Sequence, residues 1–393
     1  MKYQKIHFFL ITLLLSTVLQ SDDKYFPGSK WDSVSPESQG VEAAKVNKLI
    51  DMSFNDDATL GVVVIKNGKI IGEKYAANYD LDSHGTSWSM AKSYYAALIG
   101  IAIELGEIKS LDDPVAKYLD YYNDERSSIT IRDLLDMSSG LDFPSHEHEK
   151  MFFQQDHLAY SRNVGVEKDA GIKFEYNNTN SMIIGDILFS VTGKKADQLL
   201  SERILDPIGA TDYKLWKDEA GNVLTYCCVD MSARNYSKFG LLFARDGNWN
   251  GNQILSEEWI RSATSKQVSN GSNPNNDWTQ GYGFQFWRSR YNSYRADGAM
   301  GQFCLVIPEK DMVIAITSGT NNLGLIMKLV WDIILPNTSK TKLIKNDIAY
   351  NTLKKKISSL SLNPYLEKKP IKPRIKITNK KFQMESNEQG VKA

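Results

Sequence analysis

The sequence is poor in the residues that build disulfide frameworks and metal sites. Its 393 residues include 3 cysteines and 5 histidines. Cys227 and Cys228 are adjacent and are not expected to pair easily with each other, while Cys304 lies in an apolar strand pattern that favours a buried thiol. His146 and His148 stand two positions apart, which does not place them on one helix face, and no third ligand is evident, so a solvated loop is favoured over a metal site. The sequence therefore excludes a disulfide scaffold and predicts neither a metal nor a cofactor.

The sequence also has no excess of positive over negative residues, or of negative over positive ones. Lysine and arginine together number 47, and so do aspartate and glutamate, which gives a formal net charge of zero. Binding to nucleic acid phosphates usually shows as a basic surplus, and we therefore expect no nucleic-acid partner. Basic residues collect near the C-terminus, where residues 338–393 lack sustained periodicity. We interpret that segment as a basic, solvated linker, with contact to an anionic surface as the alternative.

Long apolar runs are absent after the first twenty residues. Lys2 and Lys5 precede an apolar run over residues 8–19, and polar residues follow it from Ser21. A basic start, a short apolar core and a polar exit are typical of a secretory signal peptide, and the run is short for a membrane-spanning helix. Residues 1–20 are therefore predicted to be a signal peptide of a secreted or periplasmic protein that keeps no stable membrane anchor. A retained anchor is the alternative, and no pattern indicates the cleavage position or the oligomeric state.

The first part of the mature chain alternates helical and strand patterns. A helix with an apolar stripe is predicted over residues 35–54. Two apolar segments flank Asn67-Gly68, a pair that strongly indicates a two-residue hairpin turn. Residues 89–105 are apolar on every side, which is typical of a helix inside a domain, and Gly106 stands where a left-handed cap is needed.

The later part changes from helices to strands. Residues of about 110–245 are mostly helical or loop in pattern. The predicted strands are Tyr282–Trp287, Gln302–Ile307 and Met312–Ser318, and an apolar helix over 323–335 follows them. This order predicts an α+β domain over residues 35–337 that is interrupted by a mainly helical insert.

A serine and a lysine lie one helical turn apart at the head of the buried helix. Positions i and i+3 share a helix face, so Lys92 can place its amine beside the Ser89 hydroxyl. Serine is a weak nucleophile until a base takes its proton, and a lysine becomes such a base when burial lowers its pKa from about 10.4. A helix N-terminus also offers free N–H groups to a developing oxyanion. By itself the pair is equally consistent with a capping serine and a surface lysine.

Two further polar stretches interrupt apolar patterns. Phe174-Glu175-Tyr176-Asn177-Asn178 precedes an apolar helix, where Tyr176 could pass a proton and Asn178 could bond a substrate amide; a capped turn is the alternative. Residues 295–302, Arg-Ala-Asp-Gly-Ala-Met-Gly-Gln, precede a strand. Glycines there allow close approach of a substrate to the backbone, although they also suit a bulge or a turn.

Taken together, these stretches resemble the three signatures of the serine β-lactamase and penicillin-binding-protein superfamily, namely S-x-x-K, Y-x-N and a K-T-G-type triplet in that order. Three more segments are similar to segments of that superfamily: Ile131–Leu141, Leu205–Ala210 and Ser232–Gly240. Trp88 and the Gly298–Gln302 stretch resemble the class C β-lactamase-related branch that includes 6-aminohexanoate-dimer hydrolases and esterases. The resemblance covers roughly residues 35–335. Lys380–Gly390 is more weakly similar to the start of a C-terminal β domain, which would then be truncated.

The resemblance implies a β-lactamase/transpeptidase-like α+β fold, an antiparallel sheet flanked by helices plus a mainly helical domain, with the site in the cleft between them. It implies that Ser89 is the nucleophile, that Lys92 is its base and that Tyr176 passes the proton to the leaving group. The residues implied for substrate binding and for the oxyanion hole are Asn178, Gly298, Ala299, Trp88 and Gln302. The implied partner is a small-molecule amide, ester or peptide.

The sequence departs from the superfamily at the triplet. Ala296-Asp297-Gly298 stands where the pattern has Lys-Thr-Gly or His-x-Gly, so no basic residue is present there to bind a substrate carboxylate. An amidase or esterase is therefore expected rather than a true β-lactamase. A slowly deacylating or non-catalytic sensor of penicillin or peptidoglycan on the same fold is the alternative.

Overall fold

The computed structural model describes residues 24–28 and 30–359. The predicted signal peptide and the Lys380–Gly390 segment lie outside the described residues. Within the described ranges, no helix has the length and apolar character needed to cross a membrane.

A six-stranded antiparallel sheet forms the centre of the molecule. The strands are β1 (Thr59–Lys66), β2 (Lys69–Tyr75), β7 (Trp287–Arg288), β8 (Tyr294–Gly298), β9 (Gln302–Ile307) and β10 (Met312–Ser318). Their spatial order is β2-β1-β10-β9-β8-β7. The N-terminal hairpin is therefore joined to the C-terminal meander through the pairing of β1 with β10. Two short pairs lie apart from this sheet, β3 (Tyr213–Leu215) with β4 (Val229–Met231) and β5 (Asn248–Trp249) with β6 (Asn252–Gln253).

Helices cover both faces of the sheet because its strands are apolar on both faces. Successive side chains of a strand point to opposite faces, and β1 accordingly sends Val63 and Ile65 into one core and Val62 and Val64 into another. The first core is shared with α2 (Ala91–Glu104) and α8 (Ala233–Ala244). The second is shared with α1 (Ala43–Ser53) and α10 (Gly324–Leu329), which continues as a π-helical turn over Val330–Ile334.

The remaining helices lie mostly between α2 and α8 in the chain. They are α3 (Ile131–Leu135), α4 (Glu147–Phe152), α5 (His157–Arg162), α6 (Asn178–Thr192) and α7 (Ala196–Leu200), with α9 (Glu257–Thr264) and α11 (Asp347–Ser359) further on. The α+β class, with an antiparallel sheet between helices and a mainly helical part, is confirmed.

Several local predictions are confirmed by the structure. Asn67 and Gly68 both have positive φ and close the β1–β2 hairpin. The buried helix α2 ends one residue before Leu105, and Gly106 has a φ of 72°. Strand β10 occupies the predicted range Met312–Ser318.

The prediction of a strand over residues 282–287 is wrong. Only Trp287–Arg288 pairs with β8, and β8 itself, Tyr294–Gly298, was not predicted. The backbone N–H groups of Phe284 and Gln285 donate instead to Ala263 and Leu135. A φ of 61° at Gln285 also breaks the extended course that the apolar pattern indicates.

Two other predictions need correction. The helix predicted over residues 35–54 is divided, because Gly40 has a φ of 79° and separates a 3₁₀ turn, Pro36–Gln39, from α1. Within residues 338–393, interpreted as a linker, the structure contains helix α11. Leu353 on this helix is buried in the same core as α1, so this stretch belongs to the folded domain.

Candidate active site

The predicted nucleophile lies in a 3₁₀ turn, Trp88–Met90, that leads into α2. Ser87 fixes this turn, since its carbonyl accepts from Met90 N–H and its hydroxyl oxygen accepts from Val229 N–H at 2.8 Å. Trp88 has a φ of 46°, a conformation that non-glycine residues seldom adopt. The Ser89 side chain is therefore presented at the N-terminal end of a buried helix, where it is partly accessible.

Lys92 is fully enclosed, and its side-chain nitrogen lies within hydrogen-bonding distance of three oxygen atoms that can act as acceptors. Nζ lies 3.0 Å from Ser89 Oγ, 2.8 Å from Asn178 Oδ1 and 2.8 Å from the Tyr226 carbonyl oxygen. None of these acceptors is a carboxylate that would hold the charge. Burial lowers the pKa of Lys92 well below its ordinary value. Burial without a carboxylate partner thus favours the neutral amine of Lys92 beside the serine hydroxyl.

Tyr176 and Asn178 enter the site at the start of α6. Asn177 caps that helix by accepting from Thr179 and Asn180 N–H, which orders the chain on both sides of it. The Lys92 nitrogen is 5.0 Å from the centre of the Tyr176 ring. Burial raises the pKa of Tyr176, while a hydrogen bond with Ser89 acts in the opposite direction. The Tyr176 hydroxyl is therefore protonated at neutral pH and can pass a proton.

Gly298 and Ala299 lie opposite the nucleophile at the end of β8. A Cβ at Gly298 would overlap the Ser87 carbonyl oxygen, so a glycine is needed for this approach. Gly298 is buried and Ala299, the next residue, is exposed. The backbone N–H groups of Ser89 and Ala299 are the pair that the resemblance implies as an oxyanion hole, and this packing brings their two segments together.

The structure corrects the role expected of Gln302. Its side chain is buried, and both ends of the amide bind Ser318: Nε2 donates to the carbonyl oxygen and Oε1 accepts from the N–H at 3.1 Å. An amide with both ends occupied is not free to bind substrate. Gln302 instead fixes the loop that follows Ala299 to strand β10.

In the triplet at residues 296–298, no basic side chain faces the active site. Ala296 is buried and belongs to the core that contains α2. Arg295 and Asp297 point to the other face of β8 and pair there, with Nε 2.8 Å from Oδ2. Trp278 Nε1 also donates to Asp297, at 3.0 Å. The Asp297 charge is therefore compensated on the far face of β8.

Aromatic side chains flank the nucleophile on two sides. The Trp88 ring is 6.0 Å from the ring of Phe152 and 6.2 Å from that of Trp216. On the other side Tyr176 stacks on Trp287 with ring centres 5.6 Å apart. Trp88 was predicted to lie beside the site. The structure adds aromatic neighbours that the sequence analysis did not identify.

His148 was predicted to lie in a solvated loop, but it is half-buried beside the site. Its ring is 5.9 Å from the Tyr176 ring and 4.9 Å from the Phe143 ring. Burial and the nearby Lys92 charge lower the pKa of His148 to about 4, although hydrogen bonds with the Tyr176 backbone and the Asn178 side chain act in the opposite direction. The neighbouring His146 instead faces Glu147, 3.1 Å away. In the described part of the chain, no three potential metal ligands cluster.

Two more residues that the sequence analysis missed hold the site together. The Tyr226 carbonyl oxygen accepts a hydrogen bond from Lys92 Nζ, and the Tyr226 hydroxyl contacts His157 Nδ1 at 2.9 Å. Gln285 joins two of the helices that carry the site, because its carbonyl accepts from Ser93 on α2 and its side chain accepts from Ser181 on α6. Neither residue lies in a recognisable motif, so only the tertiary structure identifies them.

The expectation that Cys227 and Cys228 do not pair is wrong. They form a disulfide between adjacent residues, and Cys304 is a free, buried thiol. Cys228 has a φ of 74°, and its N–H donates to the Trp88 carbonyl. The disulfide therefore lies in the segment that contacts both Trp88 and, through Tyr226, Lys92.

The fold and the arrangement of the site are those expected of the β-lactamase and penicillin-binding-protein superfamily, whose members include serine hydrolases. The chain belongs to the Beta-lactamase family, whose model matches residues 53–325. An uncharacterised protein of Alkalihalophilus pseudofirmus is 25% identical over 306 residues, which cover 70% of this chain and 87% of that protein. A D-aminopeptidase of Brucella anthropi is 29% identical over 175 residues, 40% of this chain, and the match spans only 33% of that enzyme.

The fold is shared with solved structures. A Bacillus anthracis protein provisionally named a 6-aminohexanoate-dimer hydrolase superposes with a TM-score of 0.64 and 22% identity, covering 79% of this chain and 87% of that one. At 22% identity, this likeness shows a shared fold alone.

Proposed function

We propose that this protein is a secreted serine hydrolase that cleaves an amide or ester bond through an acyl-enzyme on Ser89. The observation that carries the proposal is the 3.0 Å contact between Ser89 Oγ and the buried Lys92 Nζ. A neutral amine at that distance can take the serine proton as the bond to the substrate carbonyl forms. The reaction needs no cofactor or metal.

Acylation begins when Ser89 Oγ attacks the carbonyl carbon and its proton moves to Lys92. The resulting oxyanion accepts hydrogen bonds from the Ser89 and Ala299 N–H groups, each such donor being worth about 10²–10³ in rate. Tyr176 gives its hydroxyl proton to the leaving nitrogen or oxygen and is reprotonated from Lys92. The C–N or C–O bond breaks, and the acyl group remains on Ser89.

Deacylation repeats the proton transfers with water. A water molecule attacks the acyl carbon, its proton passes through Tyr176 to Lys92, and the same two N–H groups stabilise the second oxyanion. Collapse of that intermediate returns the proton to Ser89 Oγ and releases the acid. Because the pKa of Tyr176 is raised, we assign Lys92 rather than Tyr176 as the final proton acceptor.

The substrate we propose is an uncharged amide or ester with an apolar acyl group. The aromatic flanks formed by Trp88 with Phe152 and Trp216, and by Tyr176 with Trp287, favour apolar groups. The absence of a basic residue at Ala296 disfavours a carboxylate at that position. Two of the similar proteins bear the names of amide hydrolases, a D-aminopeptidase and a provisional 6-aminohexanoate-dimer hydrolase.

Secretion is proposed from the N-terminal pattern of residues 1–20. A disulfide at Cys227–Cys228 is compatible with this, since disulfides persist in oxidising compartments. N-terminal sequencing of protein recovered after export should give a start after the apolar run 8–19. Mature protein that begins at Met1 would contradict the proposal of a cleaved signal.

The test of the enzymatic proposal is turnover of chromogenic short-chain esters and linear amides, with Ser89→Ala as the matched control. We expect steady turnover by the natural protein and none by the variant, with unchanged circular dichroism. Intact-mass analysis after a fluorophosphonate should place the adduct on Ser89. A burst of one equivalent without turnover would instead support a slowly deacylating sensor, and labelling of another serine would reject the mechanism.

A further inference from the structure

The disulfide between Cys227 and Cys228 lies in a segment that contacts both the proposed base and the nucleophile turn. Immediately before the disulfide, the Tyr226 carbonyl oxygen accepts a hydrogen bond from Lys92 Nζ at 2.8 Å. Within it, the Cys228 N–H donates to the Trp88 carbonyl oxygen at 3.2 Å. One short segment therefore connects the base with the turn that carries the nucleophile.

Side-chain hydrogen bonds hold this segment on both sides of the disulfide. Before the cysteines, the Tyr226 hydroxyl contacts His157 Nδ1 at 2.9 Å. After them, the Val229 N–H donates to the Ser87 hydroxyl oxygen at 2.8 Å. The disulfide lies between these two attachments, where the backbone makes its own contacts with Lys92 and Trp88.

The contact between Cys228 and Trp88 joins two residues with uncommon backbone conformations. The φ angle is 46° at Trp88 and 74° at Cys228, a region that non-glycine residues seldom adopt. Such conformations cost free energy and persist only where the surroundings hold them. The disulfide closes a ring that includes the peptide bond between the two cysteines, which restricts rotation at Cys228. It is therefore placed to keep the Cys228 N–H directed at Trp88.

Global stability does not account for a disulfide between adjacent residues. In the chain-entropy description, a cross-link stabilises a fold by closing a loop in the unfolded chain, and the effect grows with loop length. Cys227 and Cys228 are separated by one position and close the shortest possible loop. The consequence of this bond is therefore expected nearby, at Trp88 and Lys92.

We propose that the Cys227–Cys228 disulfide is a clamp that positions the Tyr226 carbonyl group on Lys92 and the Cys228 N–H on Trp88. The enzyme is then fully active only when the bond has formed. As the two sulfurs join, both thiols lose their protons, and two electrons pass to an acceptor disulfide, which becomes two thiols. Disulfides of this kind persist in oxidising compartments, to which the proposed export would bring the protein.

The inference rests on the proposed function, and its test compares three forms of the protein. They are the natural protein, the same protein after reduction by a dithiol that is then removed, and the double variant Cys227→Ser/Cys228→Ser. The variant is included because both cysteines are buried, which slows reduction of the folded protein. Intact mass after alkylation under denaturing conditions gives the number of free thiols in each form.

The readouts are the rate at which a fluorophosphonate labels Ser89, kcat and KM for a p-nitrophenyl ester, and Tm. In the reduced protein and the double variant, we expect the labelling rate and kcat to fall about ten- to a hundredfold, because small misplacements of catalytic groups cost up to about 10²-fold. KM should change by less than about twofold and Tm by only a few degrees, since the fold is kept. Reoxidation should restore the reduced protein but not the double variant.

Cys304→Ser is the matched control for the remaining thiol. Cys304 is a free, buried thiol that donates to the Tyr236 carbonyl oxygen, and a serine hydroxyl can make the same bond. This variant should have natural activity and should lose it on reduction as the natural protein does. If the variant were insensitive to reduction, the effect would belong to Cys304 and the inference would be wrong.

Several other results would overturn the inference. Free thiols at Cys227 and Cys228 in protein purified without reductant would show that the clamp does not form. Natural labelling rates in the reduced protein or in the double variant would show that the bond does not position the site. A large fall in Tm would assign the bond to the fold instead. If oxidised protein with the bond present were not labelled at Ser89, the proposed function would fail, while the mass measurement of the disulfide would stand.

Discussion

Gly298 packs against the carbonyl oxygen of Ser87 so closely that a Cβ would overlap that oxygen. The contact joins the end of β8 to the turn that carries Ser89, and it sets the spacing between the two N–H groups proposed as the oxyanion hole. The backbone at Gly298 is extended, with a φ of −127°. Sterics rather than backbone conformation therefore require glycine at this position.

Gly298→Ala should separate these two segments and impair transition-state stabilisation. We expect kcat to fall about 10²-fold or more, since loss of one oxyanion donor costs about that much, while KM changes little. Gly319→Ala is the matched control, because a Cβ there meets nothing within 4 Å. Steady-state kinetics and thermal unfolding of both variants make the comparison. Near-natural kcat in Gly298→Ala would argue against this oxyanion hole.

Lys92→Met should abolish activity and yet raise stability at neutral pH. The pKa of Lys92 is lowered in the folded state, so between the folded and unfolded pKa values the unfolded chain binds one more proton. The free energy of unfolding of the natural protein therefore rises with pH between these two pKa values. At the lower pH of this range, burial of Lys92 has a free-energy cost for the folded state. Replacement by Met removes this cost.

Thermal unfolding of Lys92→Met and of the natural protein from pH 6 to pH 10 is the measurement. The variant should have the higher Tm at pH 6–7, and the difference should narrow toward pH 10. Lys92→Arg serves as a control, since a guanidinium stays charged; it should be inactive without the gain in Tm. A Tm difference that is independent of pH would show that Lys92 does not carry a lowered pKa.

Ser89, Lys92 and Tyr176 should behave as one unit. Lys92→Ala is expected to cost nearly as much kcat/KM as Ser89→Ala, and the double variant little more than either alone. Tyr176→Phe should reduce amide hydrolysis more than hydrolysis of a p-nitrophenyl ester, because a good leaving group needs little protonation. Parallel kinetics on an anilide and an ester with the same acyl group test this. Equal losses on the two substrates would remove Tyr176 from the role of proton donor.

Neutral substrates should be preferred over β-lactams. Because Ala296 replaces a basic residue, a β-lactam carboxylate would lose a charge-assisted hydrogen bond, a loss of about 1.5–3 kcal/mol, equivalent to roughly 10–150-fold. The comparison of kcat/KM for nitrocefin and for a p-nitrophenyl ester measures the preference. Ala296→Lys should raise nitrocefin acylation relative to Ala296→Met, which has similar length without the charge. Efficient nitrocefin turnover by the natural protein would show that this position does not select the substrate.

The features that depend on short residue patterns could be predicted from the sequence. The hairpin at Asn67-Gly68, the buried helix with Lys92 one turn after Ser89, and strand β10 all follow from periodicity and turn chemistry over a few residues. The pairing of Asp297 with Arg295 was not predicted, because strand β8, which places both residues on one face, was not predicted either. His148 and Tyr226 reach the site through long-range packing, for which no short motif exists.

The position of β1 between β2 and β10 has a consequence for how the protein is made. Its neighbours in the sheet are β2, which follows at once, and β10, which ends at Ser318. At about 5–20 residues per second, the ribosome needs roughly 10–50 s after β1 has been made before β10 is complete. During that interval the long apolar edge of Val62–Ile65 is unpaired and open to other chains. The sheet can therefore close only after nearly the whole domain has been synthesised.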